Sequence, residues 1–309
     1  LSPQRYERWF EQALYTSEAT VRTAENRLGR RGIQPESGLW FEVLQGKNSF
    51  DATGGSTAAE ANASGIMIGG DTAITPDFQI GALFGYTEEE LDLNRTGSSS
   101  GVQRLSLAAY GRYHASALVF DAVLGARYAN HDNARTALIP GYTGRLTGQV
   151  GSTDVFTSLR VGYPLSYGAL RVTPYGGAHI LRWNADPLNE AGSHQAALRV
   201  DGQKATAVST RLGAQVVLRT MGQRIRFTPT FDLAWRYATE GEGRDITASL
   251  GGSRFTVRTR APNSSGFIGS FGLNAAVTDR MTGYIKITAE RSTATDKALE
   301  AGAGFGFRF

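Results

Sequence analysis

The chain has 309 residues, a net charge of +4, 19% charged residues, 38 glycines, nine prolines and no cysteine. Its charge density lies below the roughly 25% of soluble domains and its glycine above the usual ~7%, while 41% hydrophobic residues exclude disorder. The lack of cysteine excludes disulfide frameworks, thiolate metal sites and cysteine nucleophiles, and fits an oxidising compartment.

The basic residues are scattered singly, without a Lys/Arg block, so nucleic acid is not expected as a partner. No apolar run exceeds about eight residues, against the ~20 of a membrane helix. Residues 1–6 lack a basic segment leading into an apolar stretch, so no signal peptide is expected there and the chain reads as a piece of a longer precursor.

The first element is a helix over 3–30. Ser2-Pro3 suits its N-cap and first turn. Apolar residues then recur at helical spacing at Tyr6, Trp9, Phe10, Ala13, Leu14, Val21, Ala24 and Leu28, and Gly29 and Gly32 offer stop signals before Pro35. At 1.5 Å per residue it is about 42 Å long, enough to cross a bilayer core of ~30 Å. Its arginines and glutamates, Arg22, Glu25 and Arg27 among them, forbid contact with lipid.

After Gly38 the period becomes two. In the last strand Leu299, Ala301, Ala303, Phe305, Phe307 and Phe309 share one face, and Glu300, Gly302, Gly304, Gly306 and Arg308 the other. The alternation predicts twelve strands, near 38–47, 59–74, 77–92, 101–114, 116–130, 152–163, 166–185, 203–219, 223–240, 264–278, 280–292 and 298–309. Most reach ten residues, whereas globular strands average five or six and membrane barrel strands need ~9–11.

Connections alternate as well. Tight turns are expected at Thr75-Pro76, Ala115, Pro164-Leu165, Met221-Gly222 and Asp279. Longer polar loops are expected at 48–58, 93–100, 131–151, 186–202, 241–263 and 293–297, the fifth as an extended hairpin. Short turns on one side and long loops on the other mark outer-membrane barrels. One strand face is aliphatic with Tyr86, Tyr113, Tyr128 and Trp235 near the ends, which reads as a lipid-facing band with aromatic girdles. An open edge in hydrocarbon would leave backbone groups unpaired, so the last strand should pair with the first. The fold class is therefore an all-β transmembrane protein: a twelve-stranded antiparallel up-and-down barrel (36–309) preceded by a helix and linker (1–35).

Several short patterns then occur in order: Asn26-Arg27-Leu28-Gly29 ending the helix, Leu39-Trp40-Phe41-Glu42 through Gly46, Gly65-Ile66-Met67-Ile68-Gly69-Gly70-Asp71, Ile80-Gly81-Ala82-Leu83-Phe84-Gly85-Tyr86, Leu105-Ser106-Leu107-Ala108-Ala109-Tyr110-Gly111, and an aromatic-x-aromatic end at Phe309. With them the chain resembles, over essentially its whole length, the translocator β-domain of autotransporters (type V secretion) of Gram-negative bacteria. The resemblance implies a lumen plugged by the helix, and a passenger domain attached ahead of Leu1 and carried to the cell surface. It implies outer-membrane lipid, periplasmic chaperones and the barrel assembly machinery as partners, the last reading Phe305, Phe307 and Phe309. A monomer is expected, with long loops outside and the short turns and C-terminus in the periplasm. Some relatives cut the passenger off between two adjacent asparagines of the helix. This helix has Asn26 alone, which leaves only a weak cleavage candidate.

The expected working surface is the lumen. Glu42, Arg112, Asp121, Arg127, Arg160, Arg171, Asp232, Arg236, Lys286, Glu290, Glu300 and Arg308 fall on faces opposite the lipid band. There they can pair with Arg22, Glu25 and Arg27 of the helix, since buried single charges are costly. No metal or cofactor site is expected: the four histidines lack ligand spacing, no nucleophile elbow occurs, and Glu88-Glu89-Glu90 reads as a solvated rim. The leading function is export of an N-terminal passenger. The alternatives are a passive outer-membrane channel, which the helix would obstruct, and a barrel enzyme with a rim site, for which only His131-Asp132 and His194 offer themselves.

Overall fold

The computed structural model describes residues 5–30, 37–51, 58–93, 98–139, 142–192, 196–218, 226–239, 245–258, 263–293 and 295–309. One helix, α1 (Arg5–Arg30), precedes the strands. The barrel strands are β1 (Gly38–Phe50), β2 (Ala59–Thr75), β3 (Phe78–Leu93), β4 (Ser98–Ala115), β5 (Leu118–Ile139), β6 (Tyr142–Gly162), β7 (Leu170–Ala185), β8 (Gln203–Leu218), β9 (Arg226–Thr239), β10 (Ser264–Ala276), β11 (Met281–Ser292) and β12 (Thr295–Arg308). Each pairs antiparallel with its neighbours, and β12 pairs with β1 from Gly38↔Arg308 to Asn48↔Ala298, which closes the ring. Among the described residues, no helix is long and apolar enough to cross a membrane.

Period two sorts the side chains. Leu107, Leu124, Leu212, Leu233, Phe267 and Leu299 face outward and are more than half exposed, whereas their chain neighbours are mostly buried. An aliphatic surface of this extent is unstable in water and suits lipid. Inside lies α1, buried on every face: Phe10, Ser17, Val21 and Ala24 are fully buried, with Arg22 and Glu25 buried beside them. A helix with charges all round is stable when a polar wall surrounds it, and the lumen supplies that wall.

Close packing of side chains within the wall uses glycine. A Cβ at Gly69 would lie 2.5 Å from the Trp40 ring and 2.7 Å from the Ala82 carbonyl oxygen, and one at Gly81 would lie 2.5 Å from the Tyr110 ring. Gly69→Ala is therefore expected to cost about 1–3 kcal/mol by overpacking, while Gly283→Ala, whose Cβ would meet nothing within 4 Å, is neutral. The temperature at which folded gel mobility is lost measures both.

Three expectations need correction. The 131–151 loop is a continuation of β5 and β6, paired out to Ile139↔Tyr142. The turn expected at Pro164-Leu165 lies further on. Pro164 has no N–H to give the ladder, but pairing resumes between Leu165–Tyr167 and Leu170–Val172, and Gly168 takes the positive φ of 60° that a two-residue hairpin turn requires. The loop expected at 293–297 shrinks to the few residues between Ser292 and Thr295. The 241–263 segment does hold a hairpin, Asp245–Leu250 with Ser253–Arg258, turning at Gly251-Gly252 with φ of 55° and 85°. It pairs with Leu198–Val200 and Leu188–Asn189 into a four-stranded crown. The expected helix start at Ser2-Pro3, the Met221-Gly222 turn and the boundary between 35 and 36 lie outside the described residues.

Candidate functional site

The site is the contact between α1 and the barrel wall. At the crown end, Tyr6 Oη donates to the Asp186 carbonyl at 3.3 Å, and Tyr6 and Phe10 share a core with Leu188, Leu198, Val200 and Ile246. Trp9 donates to Ser100 Oγ at 3.2 Å and lies against the His131 ring, with centroids 4.5 Å apart. Arg8 pairs with Glu11 at 2.6 Å and donates to the Asp51 carbonyl at 2.7 Å. Next along the helix, Asn48 donates to Gln12 at 3.1 Å.

The middle of the lumen holds the densest charge. Arg127 grips Asp154 through two bonds of 2.7 and 3.0 Å, and also donates to Thr16 Oγ1 at 2.9 Å and the Ala13 carbonyl at 2.5 Å. Arg104 reaches Glu89 at 2.9 Å and Asp154 at 3.5 Å. Such forked guanidinium–carboxylate bonds fix geometry as well as charge. Ser17 bonds His179 Nε2 at 2.9 Å. Glu18 accepts from Arg236 at 2.8 Å and from Ser209, and Arg236 also lies 3.6 Å from Glu290.

Toward the C-terminal end of α1, Arg22 meets Glu300 at 3.3 Å. Lys286 bridges Glu300 at 3.0 Å and Glu42 at 3.4 Å, and Tyr284 donates to Glu42 at 2.9 Å. Glu25 meets Arg211 at 2.9 Å and Arg160 at 3.7 Å. Asp121 holds both Arg112 at 2.6 Å and Arg160 at 2.5 Å. Arg112 donates onward to the Leu28 carbonyl at 2.6 Å, which satisfies one of the orphan acceptors of a helix C-terminus. Arg27 donates to Asp71 at 2.7 Å, and Asp71 also accepts from Tyr110, which in turn accepts from Trp40 at 2.8 Å.

Arg171 and Asp232 are half-buried. Arg171 lines a cavity of about 220 Å³ below the helix end, with Arg112, His114, Tyr175 and Gln215, and Asp232 accepts from Tyr175 at 2.7 Å. Asn26 is half-buried beside Gln215, Asp232 and Lys286. Arg308 is exposed, two residues along β12 beyond Gly306, which meets Arg27, and it keeps the parity opposite Phe307 and Phe309. Phe305, Phe307 and Phe309 are exposed on the outer face.

Several lumen residues escaped the sequence reading. The run Glu88-Glu89-Glu90 reads as solvated, yet period two turns Glu89 inward to Arg104 while Glu88 and Glu90 stay exposed outside. Asp71, Arg104, Asp154 and Arg211 occupy inward positions of long strands and were findable by the same count. His131 and Asp132 lie on opposite faces of β5, His131 buried and bonded to Ser152 at 2.8 Å and Asp132 exposed, so they form no rim pair. His194 lies outside the described residues.

This arrangement is a barrel closed by a salt-bridged internal helix, and comparison with known proteins agrees. The family profile of the autotransporter β-domain matches residues 39–288. An extracellular serine protease of Serratia marcescens is 23% identical over 225 residues, 72% of this chain, and a second is 22% identical over 231. The chain spans about 21% of the length of these relatives. Among solved structures, the translocator domain of the autotransporter NalP from Neisseria meningitidis superposes with a TM-score of 0.75 at 14% identity, covering 97% of this chain and 98% of that one. The β-domain of the Bordetella autotransporter BrkA gives 0.65 at 20% identity, covering 89% and 100%. The chain belongs to the autotransporter β-domain family and is an outer-membrane translocator barrel.

Proposed function

We propose that this barrel exports a passenger polypeptide attached ahead of Leu1, and that α1 is the last stretch of that path, retained as the plug. One observation carries the reading: α1 threads the lumen with Tyr6 against the crown and Leu28 at the short-turn end. A chain preceding α1 would thus leave on the crown side. The crown and long hairpins would then be extracellular, and the short turns and Phe309 periplasmic. The charged wall suits an extended polypeptide in transit, because polar walls hold water and offer no apolar surface to stick to. Exposed Phe305, Phe307 and Phe309 fit a terminal signal read by the barrel assembly machinery after delivery by periplasmic chaperones, and the closed ring fits a monomer. A passive channel has less support, since α1 side chains fill the lumen.

Because the chain has no cysteine, single cysteines report orientation directly. Ser253→Cys in the crown should react with a membrane-impermeant maleimide on intact cells, and Ser166→Cys at a short turn only after the outer membrane is opened. The reverse pattern would invert the topology and refute the export direction.

No enzymatic reaction is proposed. Asn26 has no asparagine neighbour, and its surroundings include Lys286 and Asp232. Asn26→Ala is expected to leave the cleavage state of the purified chain and any attached upstream segment as in the parent, with a mass that differs by the substitution alone. A cut present in the parent and absent from the variant would assign Asn26 a cleavage role.

A further inference from the structure

The outer wall carries a basic notch that the translocator role does not use. It measures about 510 Å³ and lies between β6, β7 and β8, lined on the outside by Thr153, Val155, Arg182, Asn184, Lys204 and Thr206. Cross-strand register sets the arrangement. Thr153, Asn184 and Lys204 form one row and Val155, Arg182 and Thr206 the next, so the two cations are diagonal neighbours. Below them come Ile180, Val208, Leu159 and Leu212, all exposed apolar residues of the lipid band. Above them the strands lead within three residues to the crown at Leu188. The notch therefore sits at the edge of the apolar band on the crown side.

Its charge has no internal explanation. Asp154 contributes to the notch but points inward to Arg127 and Arg104. Among the described residues neither Arg182 nor Lys204 makes an ion pair or hydrogen bond, and both are exposed. The charge is not a uniform rim either, since the outward positions over β3–β5 are Glu88, Glu90 and Asp132. Two unpartnered cations with neighbouring hydroxyl and amide groups, set just above aliphatic side chains, match an anionic headgroup whose acyl chains lie down the wall.

We propose that Arg182 and Lys204, with Thr153, Asn184 and Thr206, bind the phosphate of a phosphorylated glycolipid of the outer leaflet, its acyl chains packing on Val155, Ile180 and Val208. The assignment to the outer leaflet rests on the orientation proposed above. An Arg fork takes two phosphate oxygens and Lys a third as a point charge, and each basic residue near an anionic surface adds about 1 kcal/mol.

The test uses the full chain refolded in zwitterionic micelles, with lipid A, dephosphorylated lipid A, phosphatidylglycerol and inorganic phosphate as probes and native mass spectrometry as the readout. The expected result is one lipid A bound to the parent, with affinity falling roughly tenfold to thirtyfold in R182A/K204A, since two such contacts are lost. R182K/K204R should retain binding and shows that the fold tolerates change there. R291A/K297A, which removes two exposed cations of β11 and β12, should bind as the parent does.

Equal binding by the parent and R182A/K204A would overturn the site. Equal binding of dephosphorylated lipid A would also overturn it, reducing the notch to an acyl-chain surface, and displacement by inorganic phosphate alone would make it a free-anion site. Preference for phosphatidylglycerol over lipid A would overturn the leaflet, and the cysteine labelling above decides independently whether the orientation fails with it. Export by R182A/K204A is expected to match the parent, so a failed lipid site leaves the translocator reading standing.

Discussion

Deletion of residues 5–30 is expected to convert a closed barrel into an open one. The helix, about 10–12 Å across with its side chains, occupies the lumen from the crown to the short turns, and its buried residues meet the wall on every side. In planar bilayers the parent chain should show low conductance with rare openings. The deletion variant should show stable steps larger by on the order of tenfold, since a helix-wide column of water replaces the plug. The barrel itself should survive, because its ladder closes between β1 and β12 without the helix. Unchanged conductance would mean that the wall or the crown, and not α1, closes the pore.

The second large effect falls on Asp121. Its carboxylate neutralises two guanidiniums, Arg112 at 2.6 Å and Arg160 at 2.5 Å, and all three groups are buried. Asp121→Asn keeps the shape and removes the charge. Breaking a buried ion pair on one side costs about 3–5 kcal/mol, because the partner charge stays buried and uncompensated. Here two partners are stranded, with Glu25 only 3.7 Å from Arg160 as relief. Urea unfolding in lipid vesicles should show that loss. Asp121→Asn with Arg160→Met should recover part of it, giving a coupling above about 1 kcal/mol. Additive effects, or a loss below about 1 kcal/mol, would show that lumen water screens the cluster as it screens surface pairs. Arg112 also holds the Leu28 carbonyl, so Asp121→Asn should raise the frequency of channel openings by loosening the helix end.

The barrel was legible because its constraints are written at short range. Alternation along each strand, strand lengths set by a bilayer, and the need to close the edge gave twelve strands and the β1–β12 seam. Glu42, Arg127, Arg160, Lys286 and Glu300 were placed inward by counting in twos. The partners were less legible. Nothing in the sequence says that Glu18 meets Arg236 or that Arg27 meets Asp71, because those contacts depend on how α1 is rotated and how far it is inserted. Glu89 was misread because a run of three acids looks solvated until the pleat sends the middle one inward. The β5–β6 extension was missed because beyond the membrane the hydrophobic alternation fades while the backbone ladder continues. His131 shows the same limit, since a residue expected in a loop lies in that extended ladder, its ring tilted against Trp9.

The export claim is tested most directly on intact cells. A signal peptide and an unstructured epitope are placed ahead of Leu1, and protease is added outside. The account predicts that the epitope is removed while the barrel stays intact, because the lumen delivers the N-terminal side of α1 to the crown. An epitope protected until the outer membrane is broken would place that end in the periplasm and contradict translocation by this chain.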